Sequence, residues 1–398
     1  HFKGRSSPQK GSHLIMSLLV QKYGGSSVAN PDLIKNVATR IGHAHDAGNQ
    51  IVAVVSAMGN TTDKLIEMAA ELSEAPPPRE MDVLLSTGEL TSCTLLAIAL
   101  QELGYRAISL SGGQAGIQTD AVYTKARITG LDPTRIRREL QSGNIVIVAG
   151  FQGITQDFDV TTLGRGASDL TAVALAVGLD AKRCEIYTDV EGIYTADPRL
   201  VTNAQKLTEV GFEEMLELAS YGAKMQPRSI ELAAAYHMPL QVSSSFTENP
   251  GTLIHEGASM EVRNKVRGVA ADRNVAKITL LGIPDRPGIA ATLFEALANQ
   301  EISVDTIVQN ASDEHIADLT FTVARTDSQR AMGVVEPVAQ NLGARDCLSA
   351  DNLAKVSIVG TGMQNAPGYA SQMFQTLYTE DINIEMITTS EIRITCIV

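Results

Sequence analysis

The stretch that decides the fold is Thr161-Thr-Leu-Gly-Arg-Gly-Ala-Ser-Asp169. Its two glycines, Gly164 and Gly166, have no side chain, so a ligand can approach the backbone N–H groups closely. Arg165 between them presents a planar, two-pronged donor that suits a carboxylate or a phosphate. The stretch therefore predicts a loop that binds anions.

A helix is predicted directly after this loop, over residues 170–177. Either Ser168 or Asp169 can cap it. An anion at its N-terminus would meet unpaired N–H groups and the positive end of the helix dipole. A second glycine-rich element, Val20-Gln-Lys-Tyr-Gly-Gly-Ser-Ser27, lies far upstream. The two elements together indicate one phosphate- and carboxylate-handling site built from distant segments.

Strand and helix signals alternate along the first part of the chain. The predicted strands are 18–22, 50–58, 107–110, 145–149 and 185–188, and the predicted helices are 32–47, 62–72, 81–103 and 133–141. Asn30 and Pro31 mark the start of the first helix, and the prolines at 76–78 interrupt the chain before the third. This alternation predicts an α/β fold with a mainly parallel central sheet flanked by helices. Ligands on such sheets lie beyond the C-terminal ends of the strands.

Composition restricts the class of protein. The chain has 398 residues, enough for two or three domains, and its net charge of −13 argues against a general surface for nucleic acid or anionic membranes. No apolar run in the sequence approaches the roughly 20 residues that span a bilayer. Four cysteines lie far apart in apolar surroundings, so buried reduced thiols are favoured over disulfides or zinc ligands. We therefore expect a cytoplasmic protein with no nucleic-acid or membrane partner.

The sequence divides into several segments. Residues 1–15 are polar and unpatterned, which indicates an expression-tag remnant before a native start at Met16. The α/β domain is predicted over 16–250. The polar stretch 251–264, which contains Gly251 and Gly257, is predicted to be a linker.

An internal repeat follows the linker. Three segments of the first copy match three of the second, in order: Lys277-Ile-Thr-Leu-Leu-Gly282 with Lys355-Val-Ser-Ile-Val-Gly360, Pro287-Gly288 with Pro367-Gly368, and Glu301-Ile-Ser-Val-Asp305 with Asp381-Ile-Asn-Ile-Glu385. Each copy reads as strand, Pro-Gly turn, helix, strand and strand, a small α+β module over 265–345 or 346–398. The second copy ends before an expected helix, and 266–270 are expected to supply it with a strand. One unrelated α+β domain is the alternative.

Six segments of the sequence resemble the aspartate kinases, or aspartokinases, which have the amino-acid kinase fold. They are Lys22-Tyr-Gly-Gly-Ser-Ser-Val28, Val54-Val-Ser-Ala-Met58, Gly88-Glu89, Thr161 to Asp169, Asp189-Val-Glu-Gly-Ile-Tyr-Thr-Ala-Asp-Pro-Arg199 and Gly222-Ala-Lys224. The repeat resembles two ACT domains, the amino-acid-sensing modules that these enzymes carry. The resemblance implies ATP-dependent phosphorylation of the side-chain carboxylate of L-aspartate to 4-phospho-L-aspartate. That reaction is the first step of lysine, threonine and methionine biosynthesis.

The resemblance also implies which residues act in phosphoryl transfer. Lys22 is expected to stabilise the transferring phosphoryl group, while Gly24 and Gly25 offer backbone N–H groups to its oxygens. Asp169 is expected near Lys22 and the phosphates or as a helix cap, two roles that do not exclude each other. The pattern Gly-x-x-x-x-Gly-Lys-Ser/Thr is absent from the sequence, so this is not a P-loop enzyme.

For aspartate the resemblance implies partners of both signs. Arg165 is expected to bind a carboxylate and Glu89 the α-amino group, although Glu89 also fits a carboxylate on a helix surface. Hydroxyl groups are expected to complete the substrate site, namely those of Ser26, Ser56, Thr62 and Ser168. For Thr62 a local helix cap is the alternative.

ATP is the expected phosphoryl donor. The expected ATP-binding residues are Lys22, Thr188, Asp189, Tyr194, Arg199 and Lys224. Thr188 and Asp189, at a strand end, would reach the ribose or base, and Tyr194 would pack beside the nucleotide. Arg199 and Lys224 would contact the phosphates. Mg²⁺ is expected with ATP, held by phosphate oxygens and water without a dedicated protein cage. The family pattern has four residues between Lys224 and the following arginine, whereas here three precede Arg228.

The ACT resemblance implies feedback control by lysine, threonine or both. The expected effector residues are Asp285, Gly288, Ala290, Gln309 and Asn310 in the first module and Asn383, Ser390 and Glu391 in the second. Modules that only mediate contacts between subunits are the alternative. A homodimer through the ACT domains is expected, or an assembly with a separate regulatory subunit.

Two other functions remain open on the sequence. Another amino-acid kinase would act on glutamate, acetylglutamate or carbamate, and the ACT pair argues against it. A non-catalytic amino-acid sensor would have lost its N-terminal chemistry, and the presence of Lys22, Glu89, Arg165 and Arg199 argues against that.

Overall fold

The computed structural model describes residues 17–220, 225–257, 266–311, 316–363 and 367–398. The chain divides into two compact units. Of the described residues, the first unit holds 17–193, 206–212 and 225–257, and the second holds 194–205, 213–220 and those from 266 onward. The predicted tag remnant lies outside the described residues.

The first unit is built on what we call the central sheet. Its strands are β1 (Ser17–Tyr23), β2 (Asn49–Val55), β3 (Ala107–Leu110), β6 (Ile145–Ala149), β9 (Arg183–Thr188), β10 (Glu209–Gly211), β11 (Leu240–Ser244) and β12 (Thr252–His255). They lie in the order β10-β12-β11-β9-β1-β2-β6-β3, and only the β11–β12 pair is antiparallel among these described strands. The predicted mainly parallel sheet is therefore confirmed. Its register aligns the C-terminal ends of β1, β2, β6 and β9 at one edge.

A small second sheet and the helices complete the first unit. The small sheet has β4 (Ile117–Thr119), β5 (Ile128–Leu131), β7 (Gln152–Ile154) and β8 (Val160–Thr162), in the order β5-β4-β7-β8. The helices are α1 (Pro31–Asp46), α2 (Thr61–Leu72), α3 (Pro78–Glu102), α4 (Thr134–Gln141), α5 (Ser168–Gly178) and α7 (Pro227–Ala235).

Prolines and a capping side chain set where two helices begin. Oδ1 of Asn30 accepts a hydrogen bond from the Leu33 N–H at 3.0 Å, and Pro31 is the first residue of α1, as predicted. Pro78 likewise begins α3, three residues before the predicted start. Because the first helical position has no intrahelical partner for an N–H, proline is accepted there and does not break the helix.

The main core of the first unit lies between the central sheet and helices α1 and α3. Ile51 and Ile147 of the sheet are fully buried against Ile41 of α1 and Leu96 of α3. By length and composition alone α3 could cross a membrane, but half of its apolar stretch is buried inside the protein. A core helix passes the same test, so its length and hydropathy are weak evidence for a membrane span.

The second unit is built on an antiparallel sheet that we call the regulatory sheet. Its strands are β13 (Gly268–Pro284), β14 (Val304–Ala311), β15 (Ile316–Val323), β16 (Asp346–Val359), β17 (Met386–Thr389) and β18 (Arg393–Ile397), in the order β14-β15-β13-β16-β18-β17. The helices are α6 (Phe212–Ser220, of which 213–220 belong here), α8 (Ile289–Asn299), α9 (Ser328–Leu342) and α10 (Tyr369–Thr379). Both copies of the repeat show the order strand, Pro-Gly turn, helix, strand and strand.

Two long strands are shared between the copies of the repeat. Residues 268–272 of β13 pair with 355–359 of β16, whereas 275–281 of β13 pair with 346–353 of β16. The strand expected for the second copy from 266–270 thus runs over 268–272. Each copy completes its sheet with a piece of the other's long strand.

Two stretches depart from the predicted boundaries. Strand β12 lies inside the predicted linker 251–264, because it pairs with both β10 and β11 of the central sheet. In the second unit, α6 contacts the second copy of the repeat. Oε1 of Glu214 accepts the Thr361 N–H at 3.0 Å, and Oε2 of Glu217 lies 3.1 Å from Nη1 of Arg393.

Candidate active site

The fold brings together two predicted catalytic residues, Lys22 and Asp169. Lys22 is the penultimate residue of β1, and Asp169 is the second residue of α5. Nζ of Lys22 lies 2.7 Å from Oδ1 of Asp169, and the two side chains are only 11% and 10% exposed. The pair joins the end of β1 to the start of α5. The two glycine-rich elements of the sequence therefore meet at this point.

The predicted side-chain cap of α5 is wrong. The helix begins at Ser168, so Ser168 and Asp169 are its first two residues, and the cap position is held by Ala167. The methyl side chain of Ala167 cannot accept a hydrogen bond. The carboxylate of Asp169 faces Lys22 instead, because a nearly buried ammonium group needs a charged partner.

Gly25 allows the ends of β1 and β2 to approach each other. A Cβ atom on Gly25 would lie 2.7 Å from the carbonyl oxygen of Ala57. The Gly59 N–H donates to the Gly25 carbonyl at 3.0 Å, which fixes this approach. Gly24 is different, because its N–H donates to the Tyr187 carbonyl at 3.1 Å and extends the β1–β9 pairing. The predicted donation from Gly24 to a phosphoryl oxygen is therefore not available in this structure.

The predicted hydroxyl groups lie near the same edge of the central sheet. Ser168 is buried against the turn after β6, where a Cβ atom on Gly150 would lie 2.8 Å from its Oγ. Ser56 directly follows β2 and is half-buried, whereas Ser26 is exposed in the turn after β1. Thr62 is the second residue of α2 and is half-buried.

Glu89 is a buried carboxylate on α3, not a carboxylate on a helix surface. It is 4% exposed, and its Oε1 accepts the Ala57 N–H at 3.1 Å. Its Oε2 is buried without a hydrogen-bond partner among the described residues. Burial raises the pKa of Glu89 to about 7, and the Ala57 hydrogen bond opposes part of this shift. An ammonium ligand would supply the missing partner.

Arg165 extends from the loop before α5 and is 75% exposed. Its Nη2 lies 2.7 Å from Oδ1 of Asp63, which is the third residue of α2. Asp63 was not among the predicted site residues, although it directly follows Thr62. The guanidinium thus already holds a carboxylate, next to another predicted substrate-binding residue.

The predicted ATP-binding residues are divided. Thr188 ends β9, at the edge that carries Lys22, and its Oγ1 donates to Oδ1 of Asp189 at 3.1 Å. Tyr194 and Arg199 belong to the second unit, and Lys224 lies outside the described residues. The ATP-binding roles stay predictions. The part of the chain that the structure describes contains no group of three or more His, Cys, Asp or Glu that could hold a metal ion.

The predicted effector residues of the first module lie at one helix start and on one strand. Asp285 and Gly288 are exposed before α8, where Gly288 has a φ of 98°. Ala290 is the second residue of α8, and Gln309 and Asn310 are exposed on β14.

In the second module, two of the three predicted effector residues line a cavity. The cavity has a volume of about 390 Å³ and is lined by Met363, Thr389, Ser390, Glu391, Arg393 and Ile394. Asn383 is not among these residues. Its Nδ2 donates to Oε1 of Glu385 at 3.1 Å. The structure thus brings Ser390 and Glu391 together.

Asp82 on α3 carries a further carboxylate that the predicted site did not include. This carboxylate is fully buried and lies seven residues, or about two helical turns, before Glu89. Both therefore face the interior. A carboxylate at a buried position of an apolar helix is a signal that the spacing could have revealed.

Comparison with known proteins assigns two families to the chain. The model of the amino acid kinase family matches residues 17–244, and the ACT domain model matches 278–337 and 356–398. The chain is 50% identical to the aspartokinase of Corynebacterium glutamicum over 391 residues, which cover 96% of this chain and 92% of that protein.

Solved structures of aspartokinases are similar to this chain as well. The structure of E. coli aspartokinase III in complex with aspartate and ADP, in the R-state, is 28% identical with a TM-score of 0.81. Its complex with lysine and aspartate, in the T-state, is 27% identical with a TM-score of 0.72. In both cases 96% of each chain is covered. These findings confirm the predicted fold and the predicted aspartate kinase with ACT domains. The chain belongs to the amino acid kinase family and, within it, to the aspartokinases.

Proposed function

We propose that this aspartokinase transfers the γ-phosphoryl group of ATP to the side-chain carboxylate of L-aspartate at the edge where β1 meets α5. The observation that carries the proposal is the nearly buried Lys22–Asp169 pair, with Nζ and Oδ1 2.7 Å apart. Phosphoryl transfer between two anions depends on positioning and charge neutralisation. A cation fixed in place by a carboxylate, beside a glycine-containing turn, supplies both.

The proposed reaction needs no general base. One oxygen of the aspartate side chain bonds to the γ-phosphorus, while the bond from that phosphorus to the bridging oxygen breaks and leaves its electrons on ADP. A side-chain carboxylate with an ordinary pKa of about 3.9 is already ionised at neutral pH. Lys22 stabilises the charge on the transferring group, the Gly25 N–H adds a donor, and Asp169 directs the ammonium group.

Arg165 and Glu89 are the proposed contacts to aspartate. A substrate carboxylate can replace Asp63 at the Arg165 guanidinium, so that the guanidinium stays paired during the exchange. Oε2 of Glu89, which has no hydrogen-bond partner among the described residues, accepts from the substrate's α-ammonium group. Ser56, Thr62 and Ser168 lie at the same edge and supply hydroxyl groups.

We further propose that Mg²⁺ accompanies ATP, held by phosphate oxygens and water, as this ion commonly is in kinases. Thr188 and Asp189 are the proposed contacts to the nucleoside. A cytoplasmic location suits an enzyme that uses ATP and a free amino acid.

Lysine, threonine or both are the proposed effectors. The cavity at Ser390 and Glu391 offers a carboxylate and a hydroxyl group, which suit the ammonium group of an amino acid. Strands β14 and β17 form the two edges of the regulatory sheet, so a homodimer through these edges is proposed. Light scattering of the purified protein tests the dimer, and titration of activity with lysine, threonine and their mixture tests the effectors.

The reaction is tested by ADP release with aspartate, glutamate and acetylglutamate as separate substrates. Aspartate is expected to give the highest kcat/KM, and Lys22→Ala is expected to lower kcat about 100-fold or more. Lys35→Ala is the matched control, because Lys35 lies on the surface of α1 beside Asp32. Near-wild-type turnover in Lys22→Ala, or a preference for glutamate, would contradict the proposal.

The role of Arg165 is tested by Arg165→Ala. The KM for aspartate is expected to rise about tenfold with little change in the KM for ATP, because one charge-assisted contact to the amino acid is lost. Arg79→Ala is the control, since Arg79 also forms an exposed ion pair, with Asp159 at 2.7 Å. An unchanged KM for aspartate would remove Arg165 from the site.

A further inference from the structure

Asp82 is a fully buried carboxylate whose hydrogen bonds converge on two chain segments. Its two oxygens accept the Thr124 N–H at 3.1 and 2.9 Å. They also accept the Thr162 N–H at 2.9 Å and the Thr162 hydroxyl at 2.6 Å. Thr162 is the last residue of β8, so α3 holds the chain directly before the loop that carries Arg165.

Arg228, near the start of α7, holds the same two segments from another element. Its Nη1 donates to the Leu163 carbonyl at 2.8 Å, and its Nη2 donates to the Ala126 carbonyl at 3.1 Å. The Ala126 N–H in turn donates to the Thr162 carbonyl at 2.9 Å. An acid and a base thus bind backbone groups of two consecutive residues, Thr162 and Leu163, directly before Gly164.

The anchored segment contains a residue, Thr124, in a backbone conformation that is unfavourable for its side chain. Thr124 has a φ of 68°, in the left-handed region, where a β-branched residue is strained. Asp82 accepts the N–H of that strained residue with both oxygens. A buried carboxylate and a strained threonine are both unfavourable alone, so their combination indicates a functional constraint on this segment.

The anchoring of this segment restricts the position of Arg165. Only Gly164 separates Leu163, held by Arg228, from Arg165, and α5 begins at Ser168 with Asp169 bound to Lys22. The loop is therefore anchored on both sides within a few residues. We propose that Asp82 and Arg228 are positioning residues that fix this loop so that the Arg165 guanidinium meets a carboxylate of the substrate. The proposal rests on the role of Arg165 given under the proposed function.

The test is a comparison of Michaelis constants in Asp82→Asn. The amide NH₂ group cannot accept, so the Thr124 N–H keeps only one acceptor oxygen and Thr162 loses the contact of either its N–H or its hydroxyl group. The remaining hydrogen bonds also lose the charge that strengthens them. The KM for aspartate is expected to rise about tenfold, with the KM for ATP within about twofold of wild type. Asp120→Asn is the control, because Asp120 also accepts two backbone N–H groups, those of Val122 and Arg127, but is half-buried at a neighbouring turn. It is expected to leave both constants unchanged.

Arg228→Lys provides a second variant if Asp82→Asn does not fold. A lysine cannot donate to both carbonyl groups in the same fork geometry, so the KM for aspartate is again expected to rise selectively. Each variant is also combined with Arg165→Ala. If Asp82 and Arg228 act through Arg165, they add little to the effect of Arg165→Ala, whereas a purely structural role gives additive effects.

The outcomes separate the two proposals. If Arg165→Ala raises the KM for aspartate but neither Asp82→Asn nor Arg228→Lys does so, only the positioning role is overturned. Additive effects in the double variants, or equal changes in both Michaelis constants, overturn it too. If Arg165→Ala itself leaves the KM for aspartate unchanged, both the positioning role and the assignment of Arg165 are wrong.

Discussion

At the scale of single residues, helix α3 carries two buried carboxylates with opposite environments. Asp82 has four hydrogen-bond contacts, whereas Glu89, two turns later, keeps one buried oxygen without a partner among the described residues. The first arrangement suits a structural anchor and the second a ligand contact. The sequence identified Glu89 through the family motif. The spacing of Asp82 from Glu89 marks Asp82 as an interior position, but its hydrogen-bond partners, 42 and 80 positions away, leave no local pattern that predicts its role.

We predict that Glu89→Gln stabilises the protein at high pH. Because burial places the pKa of Glu89 at about 7, above its ordinary value of 4.5, the protein takes up a proton on folding between these values, and stability falls as the pH rises through that range. Glutamine carries no charge, so the gain in free energy of unfolding should grow by about 2–3 kcal/mol between about pH 5 and about pH 8. Denaturant unfolding at both pH values measures this gain.

Glu102→Gln, at the exposed end of the same helix, is the control for this measurement. It is expected to change stability little at either pH. The same Glu89→Gln variant is expected to bind aspartate more weakly, because a neutral amide attracts an ammonium group less than a carboxylate does. A stability gain of equal size at both pH values would contradict the titration of Glu89.

At the scale of elements, local signals predicted where helices begin but not which distant residues contact those helix starts. Asn30 and Pro31 specify the start of α1 through a local hydrogen bond, so that start was predicted correctly. Asp169 was expected as a helix cap from its position and near Lys22 from the family resemblance, and the structure has the contact with Lys22. A long-range charge outweighs a local capping bond, and the local pattern around Asp169 alone does not reveal that partner.

We predict that Gly25→Ala lowers kcat by roughly 10- to 100-fold, since a small misplacement of reacting groups has effects of that size. The added Cβ atom would lie 2.7 Å from the Ala57 carbonyl oxygen, a backbone atom that cannot move without shifting the end of β2. Steady-state ADP release measures the loss. Gly333→Ala on α9 is the control, because a Cβ atom there has open space and its activity should stay unchanged. Wild-type kcat in Gly25→Ala would show that this close approach is not needed.

At the scale of the whole molecule, the order of domains was readable because each has its own motifs and periodicity. The assignment of 194–205 and 213–220 to the second unit could not be predicted, since no local signal tells which core a short segment joins.

Two ion pairs that the sequence did not reveal also connect the two copies of the repeat. Lys277 pairs with Glu385 at 2.6 Å, and Lys355 pairs with Asp305, so each copy's first-strand lysine reaches the other copy's acid.

We predict that Asp305→Asn destabilises the second unit more than Glu385→Gln. Lys355 is almost fully buried, whereas Lys277 is partly exposed, so removing the facing charge costs more at Lys355. The expected loss is about 1–3 kcal/mol for Asp305→Asn and below about 1 kcal/mol for Glu385→Gln. Denaturant unfolding followed by far-UV circular dichroism compares the two matched variants. A larger loss in Glu385→Gln would reverse this ranking of the two pairs.

The sharing of β13 and β16 between the two copies of the repeat also affects folding during synthesis of the chain. Residues 268–272 leave the ribosome well before 355–359, the segment with which they pair. At roughly 5–20 residues per second, the earlier segment waits several seconds with an open hydrogen-bonding edge. During that interval the unpaired edge is open to chaperones or to another nascent chain. Neither copy of the repeat can complete its sheet before β16 has been translated.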